Sequence, residues 1–141
     1  MTKKLYLVMN SIKIQIPSLI ENIRIIESFI DNAKDKYELD EDIYGNIMIA
    51  VTESVNNAIK HGNKNDISKN VSLSLTLQDN LIKFIVEDEG NGFSFQTLPD
   101  PTAPENINKP GGRGIFLMKC LSDEVTFKEN GRVVELSFYF G

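Results

Sequence analysis

Glu53-Ser54-Val55-Asn56-Asn57-Ala58-Ile59-Lys60-His61-Gly62 ends an apolar repeat that begins at Ile43. Ile43, Ile47, Val51, Val55 and Ala58 recur at spacings of three and four, which predicts an amphipathic helix. Asp40 is placed to cap it, and Glu41 and Asp42 fall in a first turn that favours carboxylates. Gly62 is a natural stop, and Gly45 weakens the helix without breaking it. Glu53, Asn57 and His61 lie four apart, so they share one face, away from the line through Ile47 and Val51. A solvated polar face accounts for this arrangement by itself. Chemistry accounts for it too: Asn57 offers a neutral oxygen to Mg²⁺, which keeps several waters and takes few protein ligands. Glu53, one turn away, can accept a proton from an attacking hydroxyl or water. His61 is the only histidine and is read as shaping the helix end.

On the N-terminal side, residues 11–16 alternate, with Ile12, Ile14 and Ile16 opposite Lys13 and Gln15, as in a strand with one wet face. Residues 5–8 extend this strand or pair separately. Pro17 suits the first turn of a helix whose stripe is Leu19, Ile20, Ile23, Ile26, Ile30 and Ala33, followed by a polar linker at 35–38. On the C-terminal side, a polar loop spans 63–70. Val71, Leu73, Leu75 and Leu77 then alternate with Ser72, Ser74, Thr76 and Gln78, and Asp79-Asn80 turns the chain into a strand at 81–86. Residues 115–121 read as a short helix, and 125–128 and 133–140 as strands joined around Asn130-Gly131. The order is strand, helix, helix, hairpin, long loop, short helix, hairpin. It predicts a single α+β domain over residues 1–141, a two-layer sandwich with one sheet covered by helices.

Two further segments carry chemistry. In Val86-Glu87-Asp88-Glu89-Gly90-Asn91-Gly92-Phe93, Asn91-Gly92 fits a plain hairpin turn, although Asp88, Glu89 and Gly90 make the loop longer than a tight hairpin wants. Alternatively, a strand-end Asp88 accepts a hydrogen bond from an amino group such as that of adenine, and Gly90 and Gly92 let the backbone approach the ligand. In Gly111-Gly112-Arg113-Gly114-Ile115-Phe116-Leu117, a flexible loop reaching a helix competes with a phosphate cradle of glycine N–H groups and a helix N-terminus. Arg113 either adds charge there or is solvated. The segment lacks the Lys-Ser/Thr ending of a P-loop, and no strand leads straight into it as a dinucleotide fingerprint requires.

The 141 residues suit one domain with a sizeable core, and 41% hydrophobic with 25% charged residues is ordinary for a globular chain. A net charge of −5 with scattered lysines argues against a dedicated nucleic-acid binder. Cys120 is the only cysteine, so no internal disulfide forms and a reducing cytoplasm is the simplest compartment. The apolar stretch at 5–9 is too short for a signal-peptide core, and no run approaches a membrane span. The expectation is a soluble cytoplasmic protein without nucleic-acid or membrane partners.

The ordered set of a Glu-x-x-x-Asn helix, a strand-end Asp-x-Gly-x-Gly and a Gly-rich loop opening a helix resembles the GHKL, or histidine-kinase-like, ATPase superfamily. Glu53-x-x-x-Asn57-Ala58-Ile59-x-His61-Gly62 most resembles the N box of bacterial anti-sigma-factor serine/threonine kinases. Residues 112–118 followed by Asp123-Glu124-Val125 are similar too. The resemblance implies a mixed or antiparallel sheet with helices on one face and a site for ATP and Mg²⁺. It implies that Asn57 holds Mg²⁺, Asp88 binds the adenine amino group and Glu53 is the catalytic base. Gly90, Gly92, Gly111, Gly112, Gly114 and Ile115 would line the nucleotide, and residues 95–110, with Pro99, Pro101, Pro104 and Pro110, would form an ATP lid. Lys109 or Arg113 would supply the basic contact to the phosphates. Members of this family phosphorylate an anti-anti-sigma antagonist, sequester a sigma factor, and usually form homodimers, which implies a partner-switching regulator of transcription. The alternative is a nucleotide-gated protein-binding module of the same fold without kinase activity.

Overall fold

The alternating segments pair into one sheet. The computed structural model describes residues 11–90 and 112–140. Strands β1 (Ser11–Pro17), β2 (Asn70–Gln78), β3 (Leu81–Glu87), β4 (Glu124–Lys128) and β5 (Val133–Tyr139) lie in the order β1-β2-β3-β5-β4. Every neighbouring pair among them is antiparallel, so of the two expected sheet types the antiparallel one is realised. Helices α1 (Ile23–Tyr37), α2 (Glu41–Asn57) and α3 (Gly112–Leu121) complete the α+β architecture.

The period-two pattern decides which sheet face is covered. Val71, Leu73 and Leu75 of β2, Ile82, Phe84 and Val86 of β3, and Val134, Leu136 and Phe138 of β5 are all buried. They join Ile26 and Ile30 of α1, Ile47, Val51 and Val55 of α2, and Met118 of α3 in one core. Phe84 and Phe138 meet edge to face with ring centroids 6.2 Å apart, a favoured aromatic geometry. On the other sheet face the strands carry Ser72, Ser74, Lys83 and Glu135, and Lys128 and Lys83 both pair with Glu135 at 2.7 and 3.5 Å.

Asp40 caps α2 as expected, its carboxylate accepting the Ile43 N–H at 2.9 Å. The N-terminal helix differs from expectation. Pro17 ends β1 rather than opening a helix, because its fixed φ suits an extended strand end equally well. A short 3₁₀ turn, Ile20–Asn22, then leads into α1, leaving Leu19 and Ile20 exposed instead of in the stripe. The expected linker at 35–38 is mostly helix. α1 runs to Tyr37 and stops where Glu38 turns left-handed at φ 54°, which lets Leu39 drop into the core. The hairpin between β4 and β5 is also longer than a two-residue turn. Lys128 pairs with Val133, and Glu129, Asn130 and Gly131 between them all take positive φ. The reading of residues 5–8 as a strand falls outside the described residues.

Register places four chain ends at one end of the sheet. Pro17 pairs with Asn70, Ser72 with Glu87, and Glu87 with Val133. The end of β1, the start of β2, the end of β3 and the start of β5 therefore converge. The C-terminus of α2 comes down on that same edge.

Candidate active site at the end of the sheet

α2 does not simply stop. After Asn57 the helix widens into a π turn, Ala58–Gly62, and the Asn63 N–H donates to the Ala58 carbonyl at 2.8 Å. π turns inside helices recur at functional sites because they re-aim the flanking side chains. Here the turn carries Gly62 beneath the end of β3.

Asp88 follows β3 directly. Its N–H donates to the Arg132 carbonyl at 3.0 Å, which keeps the backbone in line with β5. The residue is only 2% exposed, yet its carboxylate receives one hydrogen bond among the described residues, from the Gly90 N–H to Oδ1 at 2.8 Å. Burial pushes the carboxyl above the usual aspartate range, and the Gly90 N–H and the Arg132 guanidinium offset part of that rise. A buried carboxylate with spare acceptor capacity is costly unless a donor arrives. The space around it is built from backbone: a Cβ on Gly62 would overlap the Asp88 carboxylate, and one on Gly90 would overlap the Gly62 carbonyl. A side chain at Gly62 would displace the Asp88 carboxylate, and one at Gly90 would displace the Gly62 backbone.

The second half of the site lies where α2 meets α3. A Cβ at Gly114 would sit 3.0 Å from Glu53 Oε2 and 3.3 Å from Asn57 Nδ2. The polar face of α2 therefore looks directly onto the first turn of α3, which Ile115, buried beside Gly114, ties to the core. Asn57 is 7% exposed, and its Nδ2 has no hydrogen-bond partner among the described residues. Its two amide ends exchange by a half-turn about χ2, so this buried group can present either oxygen or nitrogen to a ligand. An orphaned buried amide, an acceptor-rich buried carboxylate and a helix N-terminus fit a ligand with both an amino-bearing ring and anionic oxygens.

Of the residues singled out from sequence, Glu53, Asn57 and Gly114 come together, as do Asp88 and Gly90. His61 is exposed beside Gly62. Gly112 and Arg113 open α3, and Gly92, Gly111 and the whole of 95–110 lie outside the described residues, as does the Arg113 side chain. Sequence reading assigned Gly62 only as a helix stop. Its closeness to Asp88 joins residues 26 positions apart, so no local spacing announces it.

The model of the histidine kinase-like ATPase domain matches residues 16–138. A serine-protein kinase RsbW of Staphylococcus aureus is 29% identical over 136 residues, covering 91% of this chain and 86% of its own. The RsbW kinase of Staphylococcus epidermidis matches equally. Among solved structures, the RsbU and RsbW domains of a Mycobacterium tuberculosis protein share the fold, with a TM-score of 0.68 at 16% identity. That match covers 92% of this chain and 32% of the larger one. With Glu53 and Asn57 facing the Gly114 turn and Asp88 set over Gly62, the chain belongs to the histidine kinase-like ATPase family.

Proposed function

We propose that this chain is an ATP-dependent serine/threonine protein kinase that phosphorylates an anti-anti-sigma antagonist and, in its other state, sequesters a sigma factor. The observation that carries the reading is the meeting of Glu53 and Asn57 with the first turn of α3, together with the buried Asp88 beside Gly62. In this reading Asp88 accepts the adenine amino group, and Gly62 and Gly90 give the base room. The backbone of Gly112 and Gly114 at the start of α3 faces the phosphates, where unpaired helix N–H groups favour anions. Asn57 holds Mg²⁺ through its amide oxygen, and Arg113 adds positive charge. Bound MgATP supplies the transferable phosphoryl group and the charge neutralisation it needs. Glu53 accepts the proton of the incoming serine or threonine hydroxyl, which makes that oxygen the nucleophile.

Kinase action then switches partners. Adding a phosphate places about −1.5 to −2 charges on the antagonist surface, enough to break a packed interface and release it. The kinase is then free to hold its sigma factor, in the cytoplasm and as a homodimer. Among the described residues no helix is long and apolar enough to cross a membrane.

The direct test is phosphoryl transfer. Incubated with MgATP, the chain should add one phosphate to a single serine or threonine of its anti-anti-sigma partner, read by intact-protein mass. A partner that binds in the presence of MgATP yet stays unmodified would remove the kinase reading and favour a nucleotide-gated binding module.

A further inference from the structure

The turn that bears Asp88 is held from outside the pocket by a residue with no place in the chemistry above. Asn63 follows the π turn and is 1% exposed. Both donors and the oxygen of its side-chain amide are engaged. Nδ2 donates to Ser18 Oγ at 2.8 Å and to the Asn70 carbonyl at 3.0 Å, while Oδ1 accepts the Glu89 N–H at 2.8 Å. Ser18, also 1% exposed, donates onward to the Lys69 carbonyl at 2.7 Å. The Glu89 carboxylate closes the circuit by accepting the Asn70 N–H. One planar group thus joins the end of β1, the start of β2 and the turn after β3.

Two of these bonds would suffice to anchor the loop at 63–70. The third is aimed at the turn. The Glu89 N–H belongs to the peptide group that leaves Asp88, and the next N–H, that of Gly90, holds Asp88 Oδ1. Fixing that peptide plane fixes the direction of the carboxylate. Only a carboxamide combines two donors with an acceptor in one rigid plane, so serine, aspartate or alanine cannot reproduce the set. Every member of the network is satisfied, which is the condition under which a buried polar cluster rigidifies its surroundings.

We infer that Asn63 is a positioning residue for base recognition: through the Glu89 N–H it presets the Asp88 carboxylate to receive the adenine amino group, and so sets discrimination against purines that lack it. This rests on the reading of Asp88 as the adenine acceptor. A residue that merely stabilised the loop would change the affinity of all purine nucleotides alike. A residue that aims Asp88 changes only those that use the amino group.

The probes are ATP and purine riboside triphosphate, which lacks the amino group, titrated calorimetrically into wild type, Asn63→Ala and Ser18→Ala. Wild type should prefer ATP. Asn63→Ala should weaken ATP by about tenfold, the worth of one well-placed hydrogen bond, and leave the analogue within about twofold. Ser18→Ala loosens the same amide from behind and should shift the ratio in the same direction by about threefold, which covers the case in which Asn63→Ala does not fold. Equal weakening of both nucleotides, or unchanged discrimination in the folded variants, overturns the inference while leaving Asp88 in its role. A wild type that binds both nucleotides equally overturns the Asp88 reading and this inference together.

Discussion

Asp88→Asn is expected to weaken ATP binding by about 100-fold, about 2.7 kcal/mol, while leaving the folded protein at least as stable as the parent. The amide oxygen would stay with the Gly90 N–H, which already holds Oδ1. That leaves an NH₂ group facing the position of the incoming amino group, and two donors cannot pair. Stability moves the other way because the carboxylate is strained by its own burial. Its folded-state pKa lies above the unfolded value, chiefly through desolvation. The folded protein therefore holds that proton more tightly, and stability falls as pH rises from the unfolded aspartate value through the raised folded one. Above this window the cost is fully present, and asparagine removes it. Thermal denaturation should show the variant melting at or above wild type at neutral pH, with the difference shrinking as pH falls through the raised folded value and gone below about pH 4, near the ordinary aspartate pKa. Wild-type ATP affinity should itself fall on acidification through the raised pKa, since the ionised carboxylate is the stronger acceptor for the amino group. A variant that loses stability at neutral pH, or keeps full ATP affinity, contradicts the role given to this carboxylate.

Glu53→Ala should divide binding from chemistry. Phosphorylation of the antagonist is expected to drop by about 100- to 10,000-fold, the usual worth of a positioned general base. ATP affinity should stay within about twofold, because in the proposed role Glu53 meets the substrate hydroxyl and not the adenine. Glu53 is half-buried against Gly114, so its loss opens space at the mouth of the site without emptying the core. Single-turnover transfer with preloaded ATP reads the rate apart from binding. An unchanged rate removes the base assignment. Loss of ATP binding in parallel would make Glu53 a nucleotide-positioning residue instead.

The parts of the fold that were legible in the sequence are those in which one local period decides the outcome. The alternation in β2 is unbroken from Val71 to Leu77, and a one-residue slip would turn four apolar side chains to water. The α2 stripe and its Asp40 cap are equally local. Pro17 was ambiguous because its ring serves a strand end as well as a helix start, and only pairing with Asn70 decides. The last turn of α1 was hidden because Asp35 and Lys36 face solvent and look like linker. Nothing in Glu38 announces a left-handed residue.

The site followed the same division. Glu53 and Asn57 share a face by helical spacing alone, but their meeting with Gly114 depends on the packing of two helices some 60 positions apart in sequence. The Asn63 network is less visible still. Its bonds reach 45 residues back to Ser18 and 26 forward to Glu89, and in the sequence Asn63 is simply the first residue of a polar loop.

In the proposed function this sheet end, the end of α2 and the start of α3 build an adenine nucleotide site. Calorimetric titration of the purified wild-type chain with ATP, with and without Mg²⁺, tests it most directly. Saturable binding at one site per chain, tightened by Mg²⁺, is the expected result. A folded protein that shows no saturable binding of ATP in either condition would contradict it.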